Sequence, residues 1–330
     1  MKAAVYTQYG PPEVVHWVEV PDPRVKPDQV LVRVHATTVN RNDCGFRKPE
    51  YPWIIRPIQG LFRPKRQILG TEFSGTILAV GAKVTQFKAG DEVFGLTGND
   101  FGTHAEKLVI RADSAIALKP KNLTHEKAVA ICDGPWLAYN LYKKLEAKSI
   151  PGSDKKIVIN GASGSIGSSF LQLAKNGGWH VTAVASTRSL DIIRSLGADL
   201  VMDYAKQDFH QLEGKYDAVV DAVGKSSFHR CKHLIRDQGF YFSTELGDWF
   251  LQNPLLALWT PIRGGVQVRF PIPVLNQSEM KYFAELAEAG KLKPVIDRTY
   301  SADQIVEAYR FVETEQKIGS VVVQITEGLG

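Results

Sequence analysis

The sequence has few of the features that would place it outside the ordinary globular proteins. It contains only three cysteines in 330 residues, Cys44, Cys132 and Cys231, which are too few and too scattered for a disulfide framework. No apolar run approaches the ~18 residues of a membrane span, and the N-terminus lacks the apolar core of a signal peptide. We therefore expect no integral membrane segment and a reducing, cytoplasmic location.

A strong excess of one charge is also absent. The chain has 40 Lys+Arg and 35 Asp+Glu, so its formal net charge is only +5. Nucleic-acid binders usually carry a denser basic stripe. The densest basic cluster, formed by Arg56, Arg63, Lys65 and Arg66, is typical of a solvated loop. We therefore expect a small-molecule partner and no nucleic acid.

The hydrophobic pattern divides the chain into two regions with different predicted secondary structure. Up to Pro120 it shows short strands and glycine turns, such as the alternating residues 30–34 and the β-branched run 75–80, which predict a small antiparallel barrel or sandwich. Residues 123–146 are helical by pattern, and Pro135 predicts two helical pieces rather than one.

From Lys156 onward, apolar strands alternate with amphipathic helices. Strands are predicted at 156–160, 180–185, 200–202, 218–221 and 239–243, with helices at 166–175 and 189–196. This alternation predicts an α/β fold with a doubly wound parallel sheet. Helices near 277–289 and 303–313 and a strand at 320–325 close the chain. We therefore predict a second domain, 123–268, inserted between two parts of the first, 1–122 and 269–330.

The strongest chemical signal is the run Gly161-Ala-Ser-Gly164-Ser-Ile-Gly167, which follows a predicted strand and opens a predicted helix. In that context it predicts a dinucleotide site. Gly164 lets the backbone approach a pyrophosphate, Gly167 lets the helix pack closely, and the helix N-terminus offers free N–H groups to phosphates. The alternative is a tight turn without a ligand. The predicted contacts here are Ser163, Gly164, Ser165, Ile166 and Gly167.

The end of the next strand predicts which dinucleotide binds. NAD sites usually place Asp or Glu there, about 20 residues after the glycines, to hold the ribose 2′-hydroxyl. This chain instead has Ala185 followed by Ser186, Thr187 and Arg188. Hydroxyl and guanidinium groups bind a 2′-phosphate, which a carboxylate would repel. We therefore predict NADPH, the alternative being an Arg merely exposed at a helix start.

Several further stretches resemble one family along nearly the whole chain. They are VNRND (39–43), LGTEFSGTILAVG (69–81), FKAGDEVFG (87–95) and RSLGADLVMDY (194–204). With the glycine run, they identify the chain as similar to the medium-chain dehydrogenase/reductases of the zinc-free quinone oxidoreductase branch, which includes zeta-crystallin and the enone reductases.

The resemblance implies a fold and a reaction. It implies a mostly β, GroES-like catalytic domain from 1–122 and 269–330, and an NADP-binding Rossmann domain from 123–268. It implies an NADP-dependent oxidoreductase that transfers hydride to a quinone or an α,β-unsaturated carbonyl. The alternative is a non-catalytic NADPH-binding redox sensor or structural protein on the same fold.

The resemblance also implies that no zinc is required. Zinc-dependent members have a Cys where this chain has Asn40, and a His where it has Thr71. Asn and Thr are poor zinc ligands. Cys44 is nearby but is read as packing. The pair His229 and His233 lacks a carboxylate ligand pattern, so we predict no metal site.

Without zinc, another group must polarise the substrate carbonyl. The stretch containing Tyr51 resembles the family segment that carries an active-site tyrosine, and a phenol donates well to a developing oxyanion. Asn40 is expected to face the nicotinamide ribose or the substrate. Each has a structural alternative, as a Tyr at a loop–core boundary and an Asn that favours a turn. The remaining predicted cofactor contacts are Tyr204, Val223, Gly224, Ser243, Thr244 and Gly319.

Two segments bear on assembly. In the family that the chain resembles, edge strands of the Rossmann domain often pair across a dimer, and the β-prone stretch 264–270, flanked by Pro261 and Pro271, is the candidate edge. The resemblance therefore implies a homodimer, in which a second copy covers this edge. The apolar segment 52–66 is compatible with a lid, a dimer contact, a membrane-surface contact or plain loop packing.

Overall fold

The computed structural model describes residues 1–50, 59–148, 150, 152–247, 251–272 and 274–325. The strands are β1 (Lys2–Val5), β2 (His16–Glu19), β3 (Gln29–Val39), β4 (Glu72–Val80), β5 (Glu92–Leu96), β6 (Lys107–Arg111), β7 (Ile116–Leu118), β8 (Lys156–Asn160), β9 (His180–Ala185), β10 (Leu200–Asp203), β11 (Tyr216–Asp221), β12 (Ile235–Ser243), β13 (Gln267–Arg269), β14 (Ile296–Ser301) and β15 (Ser320–Gln324). The helices are α1 (Arg41–Arg47), α2 (His125–Val129), α3 (Asp133–Glu146), α4 (Ser165–Asn176), α5 (Leu190–Ser195), α6 (Phe228–Cys231), α7 (Gln252–Arg263), α8 (Gln277–Glu288) and α9 (Ile305–Glu313). In this part of the chain, no helix has the length and apolar character needed to cross a bilayer.

Contacts divide the chain into two compact units. Unit 1 comprises Met1–Asp133, Leu275–Gly290 and Pro294–Gly330, and unit 2 comprises Gly134–Val274 and Lys291–Lys293. Both boundaries lie later in the chain than the predicted ones, after residues 122 and 268. The first lies later because α2 packs against β3 and β4 and so stays with unit 1.

Unit 1 is built on a mostly antiparallel sheet. Its seven strands run in the order β14-β15-β3-β4-β5-β7, with β6 also paired to β3, and β1 and β2 form a separate pair. The alternation predicted for residues 30–34 is confirmed, because Val30, Val32 and Val34 are all buried while their neighbours are half-buried. These side chains join the apolar face of α9 in one core.

Unit 2 contains the predicted parallel sheet. Its six strands run in the order β10-β9-β8-β11-β12-β13, and every neighbouring pair is parallel. The central strand β11 is buried along its whole length, as expected where helices cover both faces of a sheet. The order reverses between β8 and β11, and ligands of doubly wound sheets bind outside the carboxyl ends of the strands at such a point.

Candidate functional site

The glycine run forms the turn between β8 and α4 in unit 2. Gly161 has φ +78°, and a Cβ there would lie 2.8 Å from the side chain of Val223 in the loop after β11. A Cβ at Gly167 would lie 2.2 Å from the carbonyl oxygen of Gly161, so glycine alone allows this close packing of helix and turn. At Gly164, by contrast, the nearest atom to a Cβ would be 3.6 Å away. The turn is therefore tight on its protein side and open at Gly164.

No side chain among the described residues caps the N-terminus of α4. Its N-cap, Gly164, has no side chain to cap the helix, and its first turn contains no acidic residue. The first N–H groups of a helix lack intrahelical partners, and the helix dipole adds a partial positive charge. Ser163, Ser165 and Ile166 are half-buried around this point. The arrangement fits a pyrophosphate.

A buried carboxylate, which the sequence did not single out, fixes the neighbouring loop. Asp221 ends β11 and is fully buried. Its oxygens accept hydrogen bonds from the N–H groups of Gly224 (3.1 Å) and Ser226 (3.0 Å), and from the Asn160 amide (3.0 Å). The Tyr241 hydroxyl also donates to it, at 3.3 Å. One side chain thus anchors the loop with the predicted contacts Val223 and Gly224 to the end of β8.

The loops after β9 and β10 contain the residues predicted to select the cofactor. Ser186 is half-buried, while Thr187 and Arg188 are exposed. The Thr187 hydroxyl donates to Asp203 Oδ2 at 2.7 Å, and this bond holds the pKa of Asp203 below its usual value. Tyr204, which follows, is 64% exposed. The structure therefore adds an unpredicted carboxylate, Asp203, beside the turn expected to receive a 2′-phosphate.

The end of β12 lies at the same side of the sheet, where the carboxyl ends of the parallel strands meet. Ser243 is buried, and its hydroxyl accepts a hydrogen bond from the Asn253 amide at 2.9 Å. Thr244 Oγ1 is buried and has no hydrogen-bond partner among the described residues. Buried hydroxyls usually have a protein or water partner. The residues of this edge, with the open cradle at Gly164, fit a bound dinucleotide.

In unit 1, Asn40 sits at the start of α1. Its Oδ1 accepts the N–H of Asp43 at 3.0 Å, and its own N–H donates to Asp43 Oδ2 at 3.0 Å, which forms a capping box. Its Nδ2 donates to Thr71 Oγ1 at 2.9 Å. The structural role foreseen for this Asn is therefore real, and a role toward cofactor or substrate stays a prediction.

A buried group of polar side chains surrounds this asparagine. Glu72 accepts hydrogen bonds from the Thr38 hydroxyl and from the N–H of Asp133, the latter at 3.0 Å. Burial raises the pKa of Glu72 and of Asp133, and the charge of Glu72 raises that of Asp133 further. Burial lowers the pKa of Lys317, against the attraction of both carboxylates. The pKa values of both buried carboxyls therefore lie above their usual range.

The remaining predictions for this part of the chain concern Gly319, Tyr51 and the segment 52–66. Gly319 has φ +66°, and a Cβ there would lie 2.1 Å from the carbonyl oxygen of Val295, so the turn before β15 requires glycine whether or not a cofactor is near. Tyr51 lies outside the described residues. Of the apolar segment 52–66, residues 52–58 also lie outside them, while Leu61 and Phe62 are 56% and 86% exposed.

The described residues contain no group of three or more His, Cys, Asp or Glu side chains able to hold a metal ion. Asn40 donates a hydrogen bond to Thr71, and these are the two residues that the resemblance places where zinc-dependent members have ligands. Cys44 is 1% exposed within the core of unit 1, as predicted. His233 Nε2 lies 2.9 Å from the His210 carbonyl oxygen, which gives it a structural partner.

Comparison with protein families matches both units. The family of alcohol dehydrogenase GroES-like domains matches residues 26–120. The zinc-binding dehydrogenase family matches residues 196–323.

Individual relatives match almost the whole chain. A 2-methylene-furan-3-one reductase of Solanum lycopersicum is 33% identical over 338 residues, covering 98% of this chain and 79% of that protein. A chloroplastic NADPH-dependent alkenal/one oxidoreductase of Arabidopsis thaliana is 31% identical, with the same coverage of 98% and 79%. Among solved structures, a quinone oxidoreductase from Coxiella burnetii superposes with a TM-score of 0.86 at 26% identity, covering 99% of each chain.

Proposed function

Because the chain belongs to the medium-chain dehydrogenase/reductase superfamily and is an oxidoreductase, we propose that it is an NADPH-dependent reductase of quinones or α,β-unsaturated carbonyl compounds. The proposal rests on the geometry at the carboxyl ends of the strands in the unit 2 sheet. There an open glycine turn and an N-terminus of α4 that no described side chain caps lie at the carboxyl end of β8, beside the point where the strand order reverses.

The chain's own residues bind and orient the reactants. Gly164 and the N-terminus of α4 would hold the pyrophosphate, and Val223, Gly224 and Thr244 would position the rest of the dinucleotide. When bound, a reduced nicotinamide supplies the hydride. Placing a substrate's electron-poor carbon in a near-attack geometry is the main contribution of such a protein scaffold.

The preference for NADPH rests on the turn after β9. Ser186 and Arg188 offer a hydroxyl and a guanidinium to a 2′-phosphate, and the strand ends in Ala185 rather than a carboxylate. Asp203 is the opposing charge, but its carboxylate is held by the Thr187 hydroxyl and by the N–H of Ala205 at 3.0 Å. We propose that the guanidinium outweighs this carboxylate, because charge-assisted bonds to phosphate are strong.

The donor to the substrate carbonyl oxygen is proposed to be the Tyr51 phenol, on the family resemblance of its segment. A phenol keeps its proton at neutral pH and can stabilise an enolate oxygen as charge develops. Asn40 is the second candidate, although its amide already caps α1 and binds Thr71.

We further propose that the reaction needs no zinc. The mutual hydrogen bond of Asn40 and Thr71 supports this, because an amide and a hydroxyl stand where the zinc-dependent relatives have thiolate and imidazole ligands. We also propose a cytoplasmic location, supported by three free, buried cysteines, Cys44, Cys132 and Cys231.

A homodimer is proposed from the open edge of unit 2. The predicted edge 264–270 contains β13, which is the last strand of the sheet in the described part of the chain and pairs there with β12. The adjacent helix α7 exposes Leu258, Trp259 and Ile262 by 72%, 59% and 81%. An open strand beside apolar side chains is normally covered, and a two-fold partner covers both symmetrically. Light scattering at micromolar concentration should give twice the chain mass, and a monomer mass would contradict the proposal.

The function is tested by following oxidation of NADPH and NADH with a panel of small enones and quinones. We expect turnover with NADPH at a higher kcat/KM than with NADH. Binding of NADPH without turnover of any compound would instead support the non-catalytic alternative, against which the relatives' names as reductases and oxidoreductases stand.

A further inference from the structure

A second group of reactive side chains lies in unit 2, and the proposed reductase reaction does not use it. His210 Nδ1 lies 2.5 Å from Asp208 Oδ1, and His210 Nε2 lies 2.8 Å from Ser226 Oγ. A hydroxyl bonded to an imidazole, itself oriented by a carboxylate, is the arrangement that activates serine nucleophiles on unrelated folds.

The charge state of Asp208 determines which atoms donate and which accept in these hydrogen bonds. The bond from His210 holds the pKa of Asp208 below its usual value, so this carboxylate is ionised at neutral pH. An ionised carboxylate only accepts hydrogen bonds, so Nδ1 carries a proton, and whenever the ring is neutral Nε2 is the acceptor. In that neutral ring the Ser226 hydroxyl donates to Nε2, as a serine about to be deprotonated does.

A thiol completes the chain of hydrogen bonds. Cys231 Sγ lies 3.1 Å from Ser226 Oγ. Burial raises the pKa of Cys231 to about 11, so it remains a thiol and can donate to the serine oxygen while the serine donates to His210. The protons of all three bonds are therefore consistent with one another.

The imidazole is held in place by its surroundings. Its ring packs on that of Phe209 with centroids 4.0 Å apart, and the His210 N–H donates to Asp208 Oδ1 at 3.1 Å. Arg230 Nη2 lies 3.2 Å from Nδ1; with the proton on Nδ1 this contact is not a hydrogen bond, and the charge of Arg230 instead helps to lower the pKa of Asp208. Ser226 itself is half-buried. The base is thus preorganised beside a serine that is not fully buried.

We propose that Ser226 is an activated nucleophile that takes an acyl group from a small activated ester, with His210 as the general base and Asp208 as the residue that orients it. Ser226 Oγ bonds to the ester carbonyl carbon, and its proton passes to His210 Nε2. The bond from that carbon to the leaving oxygen then breaks, and the alcohol or phenol departs with the proton from His210. The step needs no oxidant or further reactant.

The structure also limits how fast this site can turn over. The N–H of Ser226 is bound to Asp221 Oδ2 at 3.0 Å, so it is not available to an oxyanion on the acyl group. Loss of one such donor typically lowers the rate by about 10²–10³-fold. We therefore assign the site to acylation by an activated ester followed by slow deacylation, rather than to rapid hydrolysis.

The test treats the full-length protein with p-nitrophenyl acetate, follows release of nitrophenolate, and locates the acetyl group by mass spectrometry of peptides. We expect a burst of about one equivalent per chain, from the acylation step, with the acetyl group on Ser226. His210→Gln should slow the burst by about 10²–10⁴-fold, the usual contribution of a general base, and Ser226→Ala should abolish it. Asp208→Asn should also slow it, because the tautomer is no longer fixed.

The chain offers matched controls for both groups. Ser227→Ala removes the adjacent hydroxyl and His229→Gln an exposed imidazole nearby, and neither should change the burst. Should Ser226→Ala unfold, the acetyl position in the wild-type protein and the His210→Gln rate still decide. Acetyl groups found only on lysines, or a Ser226 acetylated equally fast in His210→Gln, would overturn the proposal.

Discussion

The anchoring role of Asp221 leads to a prediction that separates cofactor binding from stability. Replacing it by Asn keeps the size of the side chain but leaves one acceptor oxygen and an NH2 group, facing the donors of Gly224, Ser226 and Asn160. A buried donor that loses its acceptor costs about 1–3 kcal/mol. We expect Asp221→Asn to lower the free energy of unfolding by an amount in this range. The loss should not be larger, because the exposed residues of the loop can turn toward water, which then binds their N–H groups.

Asp221→Asn should also weaken NADPH binding, because the loop that Asp221 anchors becomes disordered. Val223 and Gly224 would have to be ordered again on binding, and fixing one residue's backbone costs about 1–2 kcal/mol. That corresponds to a Kd for NADPH roughly tenfold higher or more. The Kd is measured by fluorescence titration and the stability by urea unfolding, both on the purified full-length protein.

The same strand provides the control. Asp217 lies at the opposite end of β11, is equally buried, and accepts the N–H of Lys156 at 2.8 Å. Asp217→Asn should also destabilise the fold but should leave the Kd for NADPH unchanged, because it is remote from the carboxyl edge of the sheet. Equal losses of affinity in the two variants, or an unchanged Kd in Asp221→Asn, would refute the positioning role.

Four further outcomes are expected. Gly167→Ala should destabilise the fold by about 1–3 kcal/mol through overpacking against the Gly161 carbonyl, whereas Gly164→Ala should spare stability and weaken NADPH binding; the reverse order in urea unfolding and titration would contradict the proposed cradle. Arg188→Ala should weaken NADPH by about 1.5–3 kcal/mol and leave NADH nearly unchanged, and equal losses in fluorescence titration would reject the 2′-phosphate assignment. Tyr51→Phe should lower kcat by up to ~100-fold with little change in NADPH affinity, and a change confined to KM would indicate uniform substrate binding instead. Chelator treatment should leave activity intact, and activity lost to chelator and restored by zinc would disprove zinc independence.

Much of unit 2 could be predicted because its signals are local. The strand at 180–185 was predicted with the bounds that the structure gives β9, and the strand at 156–160 with those of β8. Apolar runs bounded by glycine and polar turns carry that information within a few residues. The two helical pieces expected around Pro135 are also confirmed, as α2 and α3, with the proline in the first turn of the second, where its missing N–H is tolerated.

The domain boundary near residue 122 could not be placed as well. The segment 123–133 reads as helical, like the domain that follows, but α2 packs on β3 and β4 of unit 1. Side-chain pattern determines that a helix forms and which face is apolar. It does not determine which of two cores receives that face.

The residues that support the site were missed for a related reason. Asp221 reads as a polar end to an apolar strand, and its importance comes from donors 61 residues earlier in sequence, at Asn160, and several residues later. Glu72 and Asp133 likewise meet across 61 residues. The one available signal was that a carboxylate at the end of a fully buried strand requires partners.

The most direct test of the central claim is to reduce a simple enone with NADPH labelled with deuterium at the transferable position and to analyse the product by NMR. Our account predicts a saturated carbonyl compound with deuterium at its β-carbon and solvent hydrogen at its α-carbon, formed at the same rate after chelator treatment. An allylic alcohol with deuterium on the carbon that bears the hydroxyl would contradict it, because the protein would then be acting as an alcohol dehydrogenase.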